Sequence, residues 1–371
     1  MRSCIGPIPL NATPAHGSIS DNTGSGVRER GSKWPSTGIS DGHQRGEDLA
    51  AHSEVPLVRA GLIGGKGVPE SVAQHPRVFA TLTAPSFGAV HRMVDPKNLH
   101  DRCRPRRGEP KCEHGCDLNC KARHDKADPL VGTPLCSECF DYPGAVLWNA
   151  SAGKLWHRFT DDLRRVTLPG LSGQTKRQFA TSVRVSFAKV AEFQRRGLVH
   201  FHAVIRLDGL DGASEVPASW ATVDLLSEAI RLSASRMVVL TPSGSAQTRE
   251  LGWGDQLHVR AIQAFGEGEL LTDEAVAGYV AKYATKAAEC VGTLDRPLVC
   301  RRCRGTNLLL MRACSECHGS RLRTPLASLP IPEHAKKLVT TAWRLGGLPE
   351  YQDLRLRAWA PQCGYGGHFS T

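Results

Sequence analysis

The chain has 371 residues, 40% of them hydrophobic, and a formal net charge of +11 at pH 7. That length and apolar content suffice for one large or two smaller folded domains. No apolar run reaches the ~18 residues of a membrane span and the N-terminus lacks the apolar stretch of a secretory signal, so a cytoplasmic location and no membrane partner are expected. The positive charge points to a polyanionic partner without identifying it.

Residues 1–56 are dominated by Gly, Ser, Asp, Arg and His with no sustained period, a composition that buries too little apolar surface to offset chain entropy, so disorder is expected there. Val55 to Leu62 reads as a short helix or strand. Gly64-Gly65-Lys66-Gly67 has neither the spacing nor the Lys-Ser/Thr pair of a phosphate-binding loop. Arg77 to Leu82 is a short buried strand. Past Pro85 the chain turns basic and rich in potential ligands: Cys103, Cys112, His114, Cys116, Cys120, His124, Cys136 and Cys139. In a cytoplasmic protein such a cluster argues for metal over disulfides. Cys136-Ser137-Glu138-Cys139 has the form of a zinc knuckle, with partners expected among Cys112, Cys116 and Cys120 and with His114 or His124 as alternatives. Buried free thiols are the plainer explanation.

Leu147, Trp148, Leu155, Trp156, Phe159, Leu163 and Val166 are spaced for an amphipathic helix around Lys154 to Val166, whose tryptophans suit core packing better than base stacking. After the Pro169 to Gly173 loop comes a β-hairpin. Val183 to Gln194 and Leu198 to Leu207 flank Arg195-Arg196-Gly197, a three-residue loop whose Gly takes the left-handed position. Counting back from the loop, Gln194 faces Leu198, Glu192 faces His200 and Val190 faces His202. Strand side chains alternate, so Glu192, His200 and His202 share one face. Facing Cβ atoms lie about 5 Å apart, close enough for a carboxylate and two imidazoles to hold one divalent ion. Such a set suits Mn, Zn or Co, and Mg where water fills the remaining positions; two surface histidines on a half-buried strand are the alternative. Pro217 to Val239 is a second helix, burying Val223, Leu226, Ile230 and Met237, and Leu257 to Ile262 is a further strand.

Leu271-Thr272-Asp273-Glu274 caps a helix that no Pro interrupts before Glu289, and on it Tyr279, Tyr283 and Lys286 form one stripe. Two phenols and an ammonium make a poor core stripe, because each needs a polar partner when buried. A phenol of pKa about 10 attacks a phosphodiester only when it is oriented and partly deprotonated, which a neighbouring cation favours. Cys300-Arg301-Arg302-Cys303 and Cys314-Ser315-Glu316-Cys317, separated by ten residues, predict a closed four-thiolate zinc site. Arg301, Arg302 and Arg304 around it suit DNA phosphates, with a solvated charged face as the alternative. Pro332 to Leu345 forms a last short helix.

Glu192 with His200-Phe201-His202, followed by Tyr279-Val280-Ala281-Lys282-Tyr283-Ala284-Thr285-Lys286, resembles motifs two and three of the HUH endonucleases that start rolling-circle replication. The paired tyrosines resemble the two-tyrosine class of single-stranded-DNA phage initiators, and Phe79-Ala80-Thr81-Leu82-Thr83 resembles motif one. Residues 78–354 are similar to replication initiators of actinobacterial plasmids and integrative elements, including Thr83-Ala84-Pro85-Ser86-Phe87-Gly88, and so is Gly366-Gly367-His368-Phe369-Ser370-Thr371. The resemblance implies Glu192, His200 and His202 as ligands of a catalytic Mg or Mn, Tyr283 as first nucleophile and Tyr279 as second, with Lys282 and Lys286 positioning phosphate or tuning the tyrosines. Origin DNA is the implied partner, with host helicase and polymerase beside it. Relaxases place their tyrosine ahead of the histidines, the reverse of this order. A non-catalytic zinc-stabilised DNA-binding protein is the rival class.

The expected fold is α+β, an antiparallel central sheet with helices on one face. Residues 57–290 are expected to form the nuclease domain with a zinc-binding insertion at about 100–140, residues 291–325 the four-cysteine knuckle and 326–371 a C-terminal helical segment. Relatives carry cysteine-containing sequence before Val58 and run on past the Gly-Gly-His-Phe-Ser-Thr segment, so both ends are expected to be shortened here.

Overall fold

Runs of small and branched apolar residues at alternate positions build the central sheet. The computed structural model describes residues 68–108, 110–243, 248–262, 296–304 and 314–370. Its strands are β1 (Arg77–Leu82), β2 (Arg184–Phe193), β3 (Val199–Asp208), β4 (Val238–Leu240), β5 (Glu250–Gly252) and β6 (Leu257–Ala261). Four of them form one antiparallel sheet in the order β2–β3–β1–β6, while β4 and β5 pair as a separate ribbon. On one face Val78, Ala80 and Leu82 align with Ile205, Ala203 and Phe201, all buried. The other face carries Thr81, Glu192, His200 and His202.

The apolar face is covered by α1 (Tyr142–Asp162) and α2 (Val223–Arg236). Trp156 of α1 meets Phe187 and Phe201 edge-on at 5.2 and 5.8 Å between centroids. Ser233 of α2 donates to the Phe159 carbonyl at 3.2 Å, joining the two helices. A third helix, α3 (Glu333–Leu345), buries Leu338, Val339 and Ala342 and packs on α1. The architecture is therefore the expected mixed α+β one with an antiparallel sheet. Among the described residues, no helix is long and apolar enough to cross a membrane.

Helices α1 and α2 differ in extent from the sequence expectation. Helix α1 starts at Tyr142, well before Lys154, because Asp141 caps it by accepting from the Gly144 amide at 2.9 Å and Pro143 stands in its first turn. Its first half is buried on every side, from Ala145 through Trp148 to Ala152, so it shows no amphipathic stripe. Helix α2 starts at Val223, not Pro217, where Thr222 accepts from the Leu225 amide at 3.2 Å, and it ends at Arg236, because Val239 lies in β4.

Within α1, Asn149 is a buried polar anchor. Its Nδ2 donates to the carbonyls of Gly197 (2.8 Å) and Cys363 (3.0 Å), and its Oδ1 accepts from the Val199 amide at 3.1 Å. Asn149→Leu leaves these backbone groups without a partner at about 1–3 kcal/mol each. We expect the substitution to lower the melting temperature by on the order of 5 °C. An unchanged thermal melt would show that Asn149 does not hold the hairpin.

Residues 368–370 close the free edge of β2. The Ala191 amide donates to the Phe369 carbonyl at 2.7 Å, Val190 bridges Ser370, and the Lys189 ammonium donates to the His368 carbonyl at 3.0 Å. Burial pushes that ammonium down to about 8. An otherwise open strand edge is thereby paired.

Candidate metal centres

The hairpin register places the first ligand set. Gly197 in the turn has φ +77°, a left-handed conformation that favours glycine, and from it Glu192 pairs with His200 and Val190 with His202. One carboxylate oxygen, Glu192 Oε2, lies 2.9 Å from His200 Nε2 and 3.1 Å from His202 Nε2, and the two nitrogens are 3.2 Å apart. An ion about 2.1 Å from each of three ligands at right angles spaces them about 3.0 Å apart, so the three residues fit an octahedral divalent cation.

His202 is fixed from behind. Its Nδ1 is 3.0 Å from Thr81 Oγ1 and its ring stacks on Phe79 at 5.7 Å and 11°. With Nε2 turned to an ion, Nδ1 carries the proton and donates to Thr81, the outer-shell contact that orients a ligating imidazole. Burial alone raises the Glu192 carboxyl, but hydrogen bonds from the two imidazoles outweigh it and hold the group at about 2. Burial also pushes the His202 imidazole below its ordinary value. Both effects favour the unprotonated forms that ligate metal. His258, which sequence reasoning did not single out, pairs with Thr81 on the other side and so lies in the same row of the sheet.

The turn itself is clamped. The half-buried Arg196 guanidinium donates to the Ala84 and Pro85 carbonyls at 2.8 and 2.9 Å, and the Arg196 carbonyl lies 3.0 Å from His334 Nε2 of α3. The Thr83-Ala84-Pro85 run thus supplies carbonyls that hold the hairpin.

Cys300, Cys303, Cys314 and Cys317 converge in a second centre, all buried. The Cys300 and Cys314 sulfurs are 3.9 Å apart and those of Cys303 and Cys317 3.6 Å. Tetrahedral thiolates 2.3 Å from zinc stand about 3.8 Å apart, whereas a disulfide is near 2.05 Å. The two knuckles are alike: the Arg304 and His318 amides donate to the Cys300 and Cys314 carbonyls, and both residues take left-handed φ values of 48° and 47°. The Cys317 and Glu316 amides pull the Cys314 thiol down to about 7. Arg301, Arg302 and Arg304 are exposed around this centre.

In the insertion the ligands divide into two clusters instead of one. Cys112, His114, Cys136 and Cys139 converge, with His114 Nδ1 3.3 Å from the Cys139 sulfur and 3.9 Å from that of Cys136. Cys116, expected as a ligand, is not among the four groups that converge there. Cys120, expected with them, joins His91, Cys103 and His124. The reason is a chain reversal in which Arg104 and Cys120 exchange backbone hydrogen bonds, turning the Cys120 side chain away from the knuckle. His91 and Cys103 carry no paired spacing, so only the Cys120-x-x-x-His124 interval hinted at this group. These cysteine-rich clusters can each hold a metal such as zinc. Tyr279, Lys282, Tyr283 and Lys286 lie outside the described residues.

Residues 48–371 match the family model for the replication initiator protein of pSAM2, RepSA. Over 320 residues the chain is 44% identical to a replication initiator protein of Streptomyces ambofaciens, covering 85% of this chain and 60% of that relative. The chain therefore spans less than two thirds of that relative's length. No solved structure matches it. A match across most of its length, at that identity, means that the chain belongs to the RepSA family of replication initiator proteins.

Proposed function

We propose that the chain is a rolling-circle initiator of the HUH kind, nicking one strand at a plasmid origin in the cytoplasm and rejoining it through its own tyrosines. The observation that carries this reading is the convergence of Glu192, His200 and His202 on one point at 2.9–3.2 Å. A divalent cation such as Mg or Mn bound there supplies Lewis-acid polarisation of the scissile phosphate. The two imidazoles and the carboxylate hold it, and Thr81 and Phe79 keep His202 aimed.

The Tyr283 hydroxyl attacks the phosphorus. A bond forms from its Oη to phosphorus, the bond from phosphorus to O3′ breaks, and the departing oxygen takes up a proton to become the 3′-OH that a polymerase extends. The phosphate stays on the enzyme as a 5′-phosphotyrosine. Tyr279 serves the second transesterification that rejoins the displaced strand, and Lys282 and Lys286 position phosphate beside the phenols. Residues 57–290 form the nuclease domain in this scheme. The cysteine centres are structural zinc sites, and Arg301, Arg302 and Arg304 contact DNA. A host helicase and polymerase act on the nicked origin.

The test is an adduct assay with the full chain, Mn or Mg, and a set of single-stranded origin oligonucleotides. A covalent protein–DNA band on a denaturing gel is expected from the native chain and none from the Tyr279→Phe, Tyr283→Phe double variant. An adduct surviving in that variant moves the nucleophile elsewhere. If the native chain cleaves no strand, a non-catalytic DNA-binding role replaces the nickase.

A further inference from the structure

We propose that His91, Cys103, Cys120 and His124 bind a structural zinc of their own, and that this ion sets the position of the hairpin turn beneath Glu192 and His200. His91 Nδ1 is 3.1 Å from His124 Nε2, the Cys120 sulfur 3.3 Å from the same nitrogen, and the Cys103 sulfur 3.6 Å from His91 Nδ1. All four ligand atoms lie within 4.8 Å of one another. Two thiolates and two imidazoles are a common tetrahedral zinc set.

The outer shell is in place as well. His124 Nδ1 lies 2.6 Å from Asp128 Oδ2, so the ring donates there and turns the Nε2 lone pair inward to Cys120 and His91. That leaves a nearly buried imidazole nitrogen facing a thiol and a second imidazole, three groups whose lone pairs one cation can gather. His124 is 3% exposed and Cys103 fully buried. The polypeptide around them is held by hydrogen bonds such as those from Arg92 and Arg123, with little apolar burial. Between residues 89 and 139 the buried hydrophobic side chains are Val94, Cys103 and Cys136 among the described residues. A segment of this size without an apolar core depends on a staple, and metal is the one its ligands offer.

This cluster is tied to the hairpin through Asp128. While its carboxylate holds His124, its main-chain carbonyl accepts from the Arg195 guanidinium at 3.0 Å. Further along the same loop Gly132 has φ +89°, and a Cβ there falls 2.5 Å from the Arg195 carbonyl carbon, so the two backbones abut. The Gly132 amide also donates to the carbonyl of the ligand His91 at 2.8 Å. Ligands of this zinc therefore flank a loop wedged against Arg195, which stands between Glu192 and His200 in the turn. The positioning half rests on Glu192, His200 and His202 holding a divalent cation; the zinc half does not.

The experiment counts zinc in the full-length chain and in Cys120→Ser, then titrates each with Mn while following the free-ion EPR signal. Loss of one zinc per chain in the variant is expected, together with at least a 10-fold weaker Mn affinity. A variant with the native zinc content overturns the site. Loss of zinc with native Mn affinity overturns the positioning role, and Arg195→Ala, which cuts the link without touching a ligand, must weaken Mn while keeping all zinc. If the native chain binds no Mn, the divalent site of the proposed function fails, the positioning role goes with it, and the zinc count stands apart. Because Cys120→Ser can fail to fold, thiols of the native chain are also alkylated with and without chelator. Cys103 and Cys120 should be protected only while zinc is bound, and labelling of Cys120 in the zinc-loaded chain refutes the site.

Discussion

Replacing His200 and His202 together by alanine is expected to reduce metal-dependent strand cleavage by on the order of 10³-fold or more while leaving zinc content unchanged. The double change leaves Glu192 as a single carboxylate where three groups converged, and one monodentate oxygen does not retain a divalent ion at ordinary concentrations. The zinc centres draw their ligands from other segments of the chain, so their occupancy should be untouched. Equal loss of zinc would place zinc at the imidazole pair and overturn that division. The same geometry fixes a pH dependence. Glu192, held at about 2, stays ionised through the mildly acidic range, so proton competition is followed at His202. Burial sets the His202 value below its ordinary 6.5, so cation affinity is full at neutral pH and falls as pH drops through that lowered value. Stability moves in the same sense. A depressed Glu192 contributes stability present above its unfolded value and lost as pH falls through about 2, and a depressed His202 makes the unfolded chain bind more protons below 6.5. Mn titrations between pH 5 and 8 check the first expectation, and affinity that rises on acidification contradicts it.

The hairpin was readable in the sequence because its signals are local. A Gly in the turn and apolar alternation on both sides leave one register, and Glu192 opposite His200 follows from it. Strands β1 and β6 and helix α3 were legible for the same reason. The first half of α1 was not, since a helix buried all round has no period to detect. The division of the cysteines was not legible either. Thiols are interchangeable on paper, and Cys120 leaves the knuckle only because a bridge to Arg104 reverses the chain. His91 reaches His124 across thirty-three residues with no spacing rule to announce it. Nor does anything local in residues 368–370 mark them as the partner of β2, because an edge pairing is decided by where the edge lies.

Removing the four-cysteine centre should have the largest effect on the folded chain. Among the described residues its buried cluster consists of Cys300, Cys303, Cys314 and Cys317, with no apolar side chain beside them to substitute for an ion. Around it the Cys300 amide bonds the Arg321 carbonyl, the Arg323 amide bonds the Leu298 carbonyl, and Leu298 joins the main hydrophobic core. A structural zinc site contributes on the order of 10 kcal/mol, comparable to the whole stability of a domain. We expect Cys300→Ser with Cys303→Ser to release one zinc and to open residues 296–304 and 314–323 to protease. The left-handed turn at Arg304 depends on the chelated knuckle, so DNA affinity should fall with it if Arg301, Arg302 and Arg304 contact phosphate. The control is the triple alanine variant of those arginines, which touches no ligand and should keep its zinc. If each arginine neutralises one phosphate, the slope of log affinity against log salt should become shallower by about 2 to 3. An unchanged slope with zinc retained would mean that the three guanidinium groups are a solvated face, and that the knuckle serves the fold without touching DNA.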